Sequence, residues 1–170
     1  MFEIKTAAEL SEADVDFQAR RRAARESPIL QAIFRIFLAR GGPVPLEEIV
    51  AVLPGIRRSM LESALATLDE DDLIQLTDGR VEIAYPFSAG PTPFIVRVAD
   101  GRERYACCAI DALGIAPMVG DRGDVSGRCH HCENALAFSV HPDGPGAEAE
   151  GVMVWVGRRG EGGQRAATGL

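Results

Sequence analysis

Phe94-Ile95-Val96-Arg97-Val98-Ala99-Asp100-Gly101-Arg102-Glu103-Arg104-Tyr105-Ala106-Cys107 spells two strands and a turn. Phe94–Val98 is rich in β-branched and aromatic residues, which suit a pleated surface. Asp100-Gly101 is a hairpin signal, because glycine reaches the positive φ that a tight turn requires. Arg104–Cys107 is then the returning strand. Leu136–Val140 and Val152–Val156 alternate in the same way and predict two further strands. Leu113–Val119 is apolar but carries Gly114 and Pro117, so it predicts only a short helix.

Upstream of this hairpin the pattern changes. Pro28 suits the first turn of a helix. Ile29, Ile33, Ile36 and Phe37 follow helical spacing until Gly41-Gly42. A second helix is expected over Leu46–Leu53 and a third from Arg57 to Glu70, with Leu61, Leu65 and Leu68 on one face. Leu73–Leu76 and Val81–Tyr85, joined across Asp78-Gly79, read as a hairpin. Three helices and a hairpin predict a winged-helix-like unit over 28–86. Residues 1–27 read as a helical extension, with Ser11 as N-cap and Arg20, Arg21, Arg22 and Arg25 in its later turns. Pro86-Phe87-Ser88-Ala89-Gly90-Pro91-Thr92-Pro93 has linker composition, so 87–93 is assigned as a linker. The second unit is then 94–157, and the glycine-rich stretch 158–170 is expected to be a disordered tail. The fold class is α+β.

The charge balance limits the partners. Eighteen basic and 25 acidic residues give a net charge of −7, which disfavours broad binding to phosphate backbones. The third helix offers only Arg57 and Arg58 and ends in Asp69-Glu70-Asp71-Asp72. DNA is therefore not the expected partner, and the helical unit is expected to pack against the second one. The start of the chain has no basic region followed by an apolar run. No stretch reaches the ~20 apolar residues that span a bilayer. The expected location is the cytoplasm, where thiols stay reduced.

All four cysteines lie between 107 and 132: Cys107, Cys108, Cys129 and Cys132, with His130 and His131 inside the last pair. Thiolates select soft cations. Cys129-His130-His131-Cys132 is a C-x-x-C, a spacing that brings two sulfurs to one ion or makes a redox pair. Cys107 and Cys108 are adjacent, and on a strand they point to opposite faces, so one of them joins a site with ease. Asp111, three residues past Cys108, either shares its pocket as a proton carrier or caps a helix running from Ala112. Cys108, Cys129 and Cys132 are the expected metal ligands. Cys107, His130 and His131 are further candidates, and Cys107 otherwise reads as a small buried hydrophobe. His141, before Pro142-Asp143-Gly144, reads as a turn residue.

Tyr105-Ala106-Cys107-Cys108-Ala109-Ile110-Asp111-Ala112-Leu113, followed by Pro117, Gly120, Val125, Ser126 and Cys129, resembles the core of the alkylmercury (organomercurial) lyase family. The resemblance runs from about Ile29 to Val156. It implies a winged-helix-like unit followed by a small mixed domain that carries the active site. It implies that Cys108 binds mercury, that Asp111 takes part in proton transfer, and that Cys129 is chiefly structural. The implied reaction is protonolysis of a carbon–mercury bond, giving a hydrocarbon and bound Hg(II). No other cofactor is implied. The implied partners are a small organomercurial and either small thiols or a mercury-accepting protein. The family also has a second catalytic cysteine, after the strand resembling Val152–Val156. This sequence has no cysteine beyond Cys132, so Cys132 or Cys129, or less readily Cys107, is the expected second sulfur.

A second sulfur matters because one thiolate leaves the carbon–mercury bond strong, whereas two enrich the metal in electrons and retain the ion afterwards. The alternative is a non-catalytic protein in which Cys108, Cys129 and Cys132 hold Zn(II), Cu(I) or Hg(II) and the winged helix is a partner or regulator module.

Overall fold

The computed structural model describes residues 23–154. The expected N-cap at Ser11, the arginines at 20–22, Trp155, Val156 and the 158–170 tail lie outside the described residues. Helix α1 (Pro28–Arg40) starts on its proline and ends at Gly41, whose φ of 68° lets its N–H turn back to the Phe37 carbonyl. It buries Leu30, Ile33, Phe34 and Phe37 along one stripe. A two-residue strand β1 (Val44–Pro45) leads into α2 (Leu46–Val52), and α3 (Arg58–Glu70) buries Leu61, Leu65 and Leu68. Strands β2 (Ile74–Thr77) and β3 (Arg80–Ala84) then form a hairpin. Its two turn residues, Asp78 and Gly79, both have positive φ, as the tight hairpin turn demands.

The chain continues through β4 (Phe87–Ser88), β5 (Phe94–Val98), β6 (Glu103–Ala106), α4 (Ala109–Val119), β7 (Gly123–Arg128), β8 (Ala135–His141) and β9 (Gly144–Pro145). The described strands make one antiparallel sheet in the order β1-β3-β4-β6-β5-β7-β8-β9, with β2 on the far side of β3. The α+β class is the one observed. Helix α4 covers one face of the sheet with Ala112, Ile115 and Ala116. Gly123 makes room for it: a Cβ there would lie 3.2 Å from Val96 and 3.7 Å from Ala116.

Four sequence expectations need correction. Residues 87–93 are not a plain linker, because Phe87–Ser88 is a strand. Phe87 pairs with Ala84 of β3 and with Ala106 of β6, so it joins the hairpin of the helical segment to the main sheet. One apolar cluster accordingly runs from Leu30 through Phe87 to Val140. Helix α4 starts at Ala109 rather than Leu113, because Cys108 caps it. Asp111 is therefore not the N-cap but lies in the first turn. Val152–Val154 forms no strand. Strand β7, hidden in Gly-Asp-Val-Ser-Gly-Arg, was not expected: only Val125 signals burial there, yet it pairs with both β5 and β8.

Two arginines fasten the β5–β6 hairpin to α1. Arg104, buried among apolar neighbours, donates through Nε and Nη2 to the Leu38 carbonyl at 3.0 and 2.6 Å. Arg102 donates to the Ala39 carbonyl. Both serve carbonyls of the last turn, which the helix itself leaves unpaired and where its dipole favours a cation.

Candidate functional site

Strand β6 ends at Ala106 and releases two cysteines in different directions. Cys107 is buried: its amide donates to Pro86 O at 3.0 Å and its thiol to Phe87 O at 3.2 Å. Burial raises its pKa far above the ordinary thiol value, and the neighbouring Asp111 and Cys108 add to the rise. A thiol held this way is inert.

Cys108 is half-buried and has extended backbone, φ −152°. It is the N-cap of α4, and its sulfur accepts the Asp111 amide at 3.5 Å. Its thiol donates to Asp111 Oδ2 at 3.0 Å. The spacing Cys-x-x-Asp is thus N-cap to N3, the spacing of a capping box with sulfur in place of the hydroxyl. Burial first, and then the hydrogen bond to Asp111, push the thiol up to about 11, against the pull of the Asp111 and Ile110 amides. At rest the sulfur holds its proton and a carboxylate stands ready to take it. Beside the pair, Ile110 is exposed on the same first turn.

Cys129 and Cys132 sit in the β7–β8 loop. That loop is closed by Cys129 N to Asn134 O and Glu133 N to Cys129 O, both at 2.9 Å. Arg128 Nη1 donates to Glu133 O at 3.2 Å. The amides of Cys132 and His131, and then the Cys132 thiol, favour the charged form of Cys129 and lower its pKa below the ordinary thiol value. Cys129 is half-buried, while Cys132, His130 and His131 are exposed. His141 is half-buried and ends β8 beside the turn into β9.

The sheet puts the two sulfur sites at one end. Ile95 of β5 pairs with Tyr105 of β6 on one side and with Ser126 of β7 on the other. Cys108 and Cys129 each lie three residues past those partners. They leave the same end of the sheet from parallel strands two spacings, roughly 10 Å, apart. Among the described residues, no group of three or more His, Cys, Asp or Glu side chains is arranged to hold one metal ion. Cys108–Asp111 and Cys129–Cys132 are therefore two separate pairs, and the described residues do not bring Cys108, Cys129 and Cys132 together around one ion.

Sequence reasoning missed Thr92. Its Oγ1 donates to Ala106 O at 2.6 Å and accepts from Phe94 N at 3.2 Å, which pins the end of β6 just before the cysteines. Thr92 lies between two prolines, where composition signals a linker and hides its role. A cavity of about 310 Å³ lined by Arg97, Glu103, Asp124, Ser139 and Glu148 includes none of these sulfurs.

The alkylmercury lyase (MerB) family model matches residues 87–169. An alkylmercury lyase of Staphylococcus epidermidis is 34% identical over 106 residues, covering 62% of this chain and 47% of that protein. One of Streptomyces lividans is 28% identical over 123 residues, covering 71% and 54%. The chain thus spans about half the length of the curated relatives it matches. Among solved structures, the mercury-bound form of MerB2 superposes with a TM-score of 0.60 at 17% identity, over 78% of this chain and 66% of that one. At that identity the likeness is one of fold. Among the described residues, no helix is long and apolar enough to cross a membrane.

Proposed function

We propose that this chain, which matches the alkylmercury lyase family model over residues 87–169, cleaves the carbon–mercury bond of small organomercurials by protonolysis, as a mercury-detoxifying lyase. The observation that carries this reading is the 3.0 Å hydrogen bond from the Cys108 thiol to Asp111. A thiol whose proton already points at a carboxylate can trade that proton for a soft cation in place.

Two steps follow. In the first, the Cys108 sulfur attacks R–Hg–X, the S–H proton passes to Asp111, a mercury–sulfur bond forms and X⁻ leaves. In the second, an incoming thiolate binds mercury, Asp111 returns the proton to the carbon, the carbon–mercury bond breaks and R–H departs. Asp111 ends as a carboxylate and Hg(II) is held by Cys108 and the second sulfur. Asp111 acts first as base and then as acid. The half-buried setting keeps the proton between the two groups. Exposed Ile110 offers the organic group an apolar contact.

The second sulfur in this scheme belongs to a small thiol, and the partners are small thiols or a mercury-accepting protein. The proposed location is the cytoplasm, where such thiols are reduced. Segment 28–86 is proposed to be winged-helix-like, with the role of a scaffold. Its third helix ends in acidic residues, and its core is continuous with that of the sheet.

The test is to incubate the protein with phenylmercury and excess thiol and to measure benzene. The expected result is release that Cys108→Ser abolishes and Asp111→Asn strongly reduces. Release equal to that of the Cys108→Ser protein would overturn the proposal.

A further inference from the structure

We propose that Cys129 and Cys132 form a second soft-cation site, separate from Cys108 and Asp111, that takes Hg(II) as a linear bis-thiolate at the tip of the β7–β8 hairpin. The loop that carries them is tied at both ends. Cys129 N donates to Asn134 O, Glu133 N donates to Cys129 O, and Arg128 holds the Glu133 carbonyl. Within this loop Cys129 and Cys132 stand three positions apart on the one turn that the Glu133 N to Cys129 O bond closes. One closed turn thus carries both sulfurs.

The number of ligands selects the ion. Tetrahedral Zn(II) needs four donors, three of them from the protein even at an open site. Among the described residues no such group exists, although His130 and His131 lie between the two cysteines. Two thiolates and nothing else suit a soft cation content with two ligands. Exposure fits exchange: Cys132 is open to solvent and Cys129 half-open, so a thiol-bound ion reaches them directly. This differs from Cys107, whose thiol is committed to the Phe87 carbonyl.

Position suggests the source. Cys108 and Cys129 leave the same end of the sheet, flanking β5. An ion released from Cys108 therefore has this dithiol at the same end of the sheet. Only this assignment of the source rests on the lyase reading. The exchange is balanced: Hg(II) held by two monothiols passes to Cys129 and Cys132, two mercury–sulfur bonds break and two form. The protons of Cys129 and Cys132 leave with the departing monothiols, and nothing is oxidised or reduced. Two sulfurs on one short loop outcompete separate monothiols, because the second bond forms at a high effective concentration, about 100-fold or more in avidity.

The test uses the full chain carrying Cys108→Ser, titrated with mercuric chloride in excess glutathione. Native mass spectrometry and ultraviolet thiolate–mercury absorption read the binding. The expected result is one Hg(II) per monomer, with affinity falling about 100-fold when either Cys129→Ser or Cys132→Ser is added. Adding His130→Ala and His131→Ala should change nothing. Loss of Hg(II) to glutathione in the Cys108→Ser protein would overturn the proposal. So would retention that survives removal of either cysteine, or one ion shared by two chains. Exposed Cys132 carries the test if Cys129→Ser disturbs the loop. No organomercurial and no Cys108 are involved, so this result and that of the benzene assay are independent.

Discussion

The rings of Phe37 and Phe87 stack at a centroid distance of 5.9 Å with their planes 5° apart. Phe34 meets the same Phe87 ring at 6.4 Å, tilted by 60°. Phe87 is fully buried, and its backbone lies between β3 and β6. One side chain from the presumed linker thus joins the first helix to the sheet that carries the cysteines. Phe87→Ala is expected to cost about 3–5 kcal/mol, as for large buried aromatics. Urea unfolding followed by fluorescence and by circular dichroism should give coincident transitions for the parent protein. Two separated transitions would mean that the helical segment and the sheet unfold independently.

The sequence disclosed what periodicity and turn chemistry control. Helices α1 and α3 and both glycine-turn hairpins lie within a residue or so of their expected bounds, because Leu61, Leu65 and Leu68 or Asp78-Gly79 act locally. What it hid depends on partners. Strand β7 has a single strong apolar residue, Val125, and is a strand because β5 and β8 pair with it on both sides. Thr92 and Phe87 sit among prolines, glycine and serine, and only long-range contacts reveal them. Cys108 is expected from the sequence as a ligand and not as a helix cap, because N-cap preferences are those of oxygen side chains. That omission displaced the start of α4 and the expected place of Asp111 in it.

Arg104 tests the fastening of the hairpin to the helix. Its guanidinium gives two donors to Leu38 O, and burial lowers its basicity without removing its charge. Arg104→Met keeps the apolar stem but leaves that carbonyl without its partners. The expected loss is about 1–3 kcal/mol, the cost of a buried unsatisfied group. Arg104→Lys should recover part of it, since a cation remains at the helix end but the fork is lost. Denaturation midpoints check both. Equal stability of the Met variant would show that the contact is dispensable.

Thiol reactivity should rank the cysteines. Alkylation requires the thiolate. The amides around Cys129 favour its charged form, while burial and the Asp111 contact disfavour that of Cys108, and Cys107 is buried deepest. With iodoacetamide near neutral pH, peptide mass spectrometry should find Cys129 modified well before Cys108, and Cys107 last. Asp111→Asn removes a negative charge and a carboxylate acceptor from Cys108, so its alkylation should accelerate. An unchanged rate at Cys108 would mean that Asp111 does not hold the thiol proton.

Alkaline stability gives the same contact a thermodynamic readout. The Cys108 thiol is raised from 9.0 to about 11 in the folded protein, first by burial and then by Asp111. The folded state therefore keeps a proton that the unfolded chain gives up. That contribution is fully present below about pH 9 and is lost as pH rises from there through 11. Stability should fall over this window, and Cys108→Ser, which removes the titrating group, should flatten the fall. Cys107 shifts in the same direction but is present in both proteins, so the difference isolates Cys108. Urea midpoints at pH 8 and pH 10 measure it. Parallel declines in the two proteins would show that Cys108 gains no protonation advantage on folding, and the proton-holding pair would lose its energetic basis.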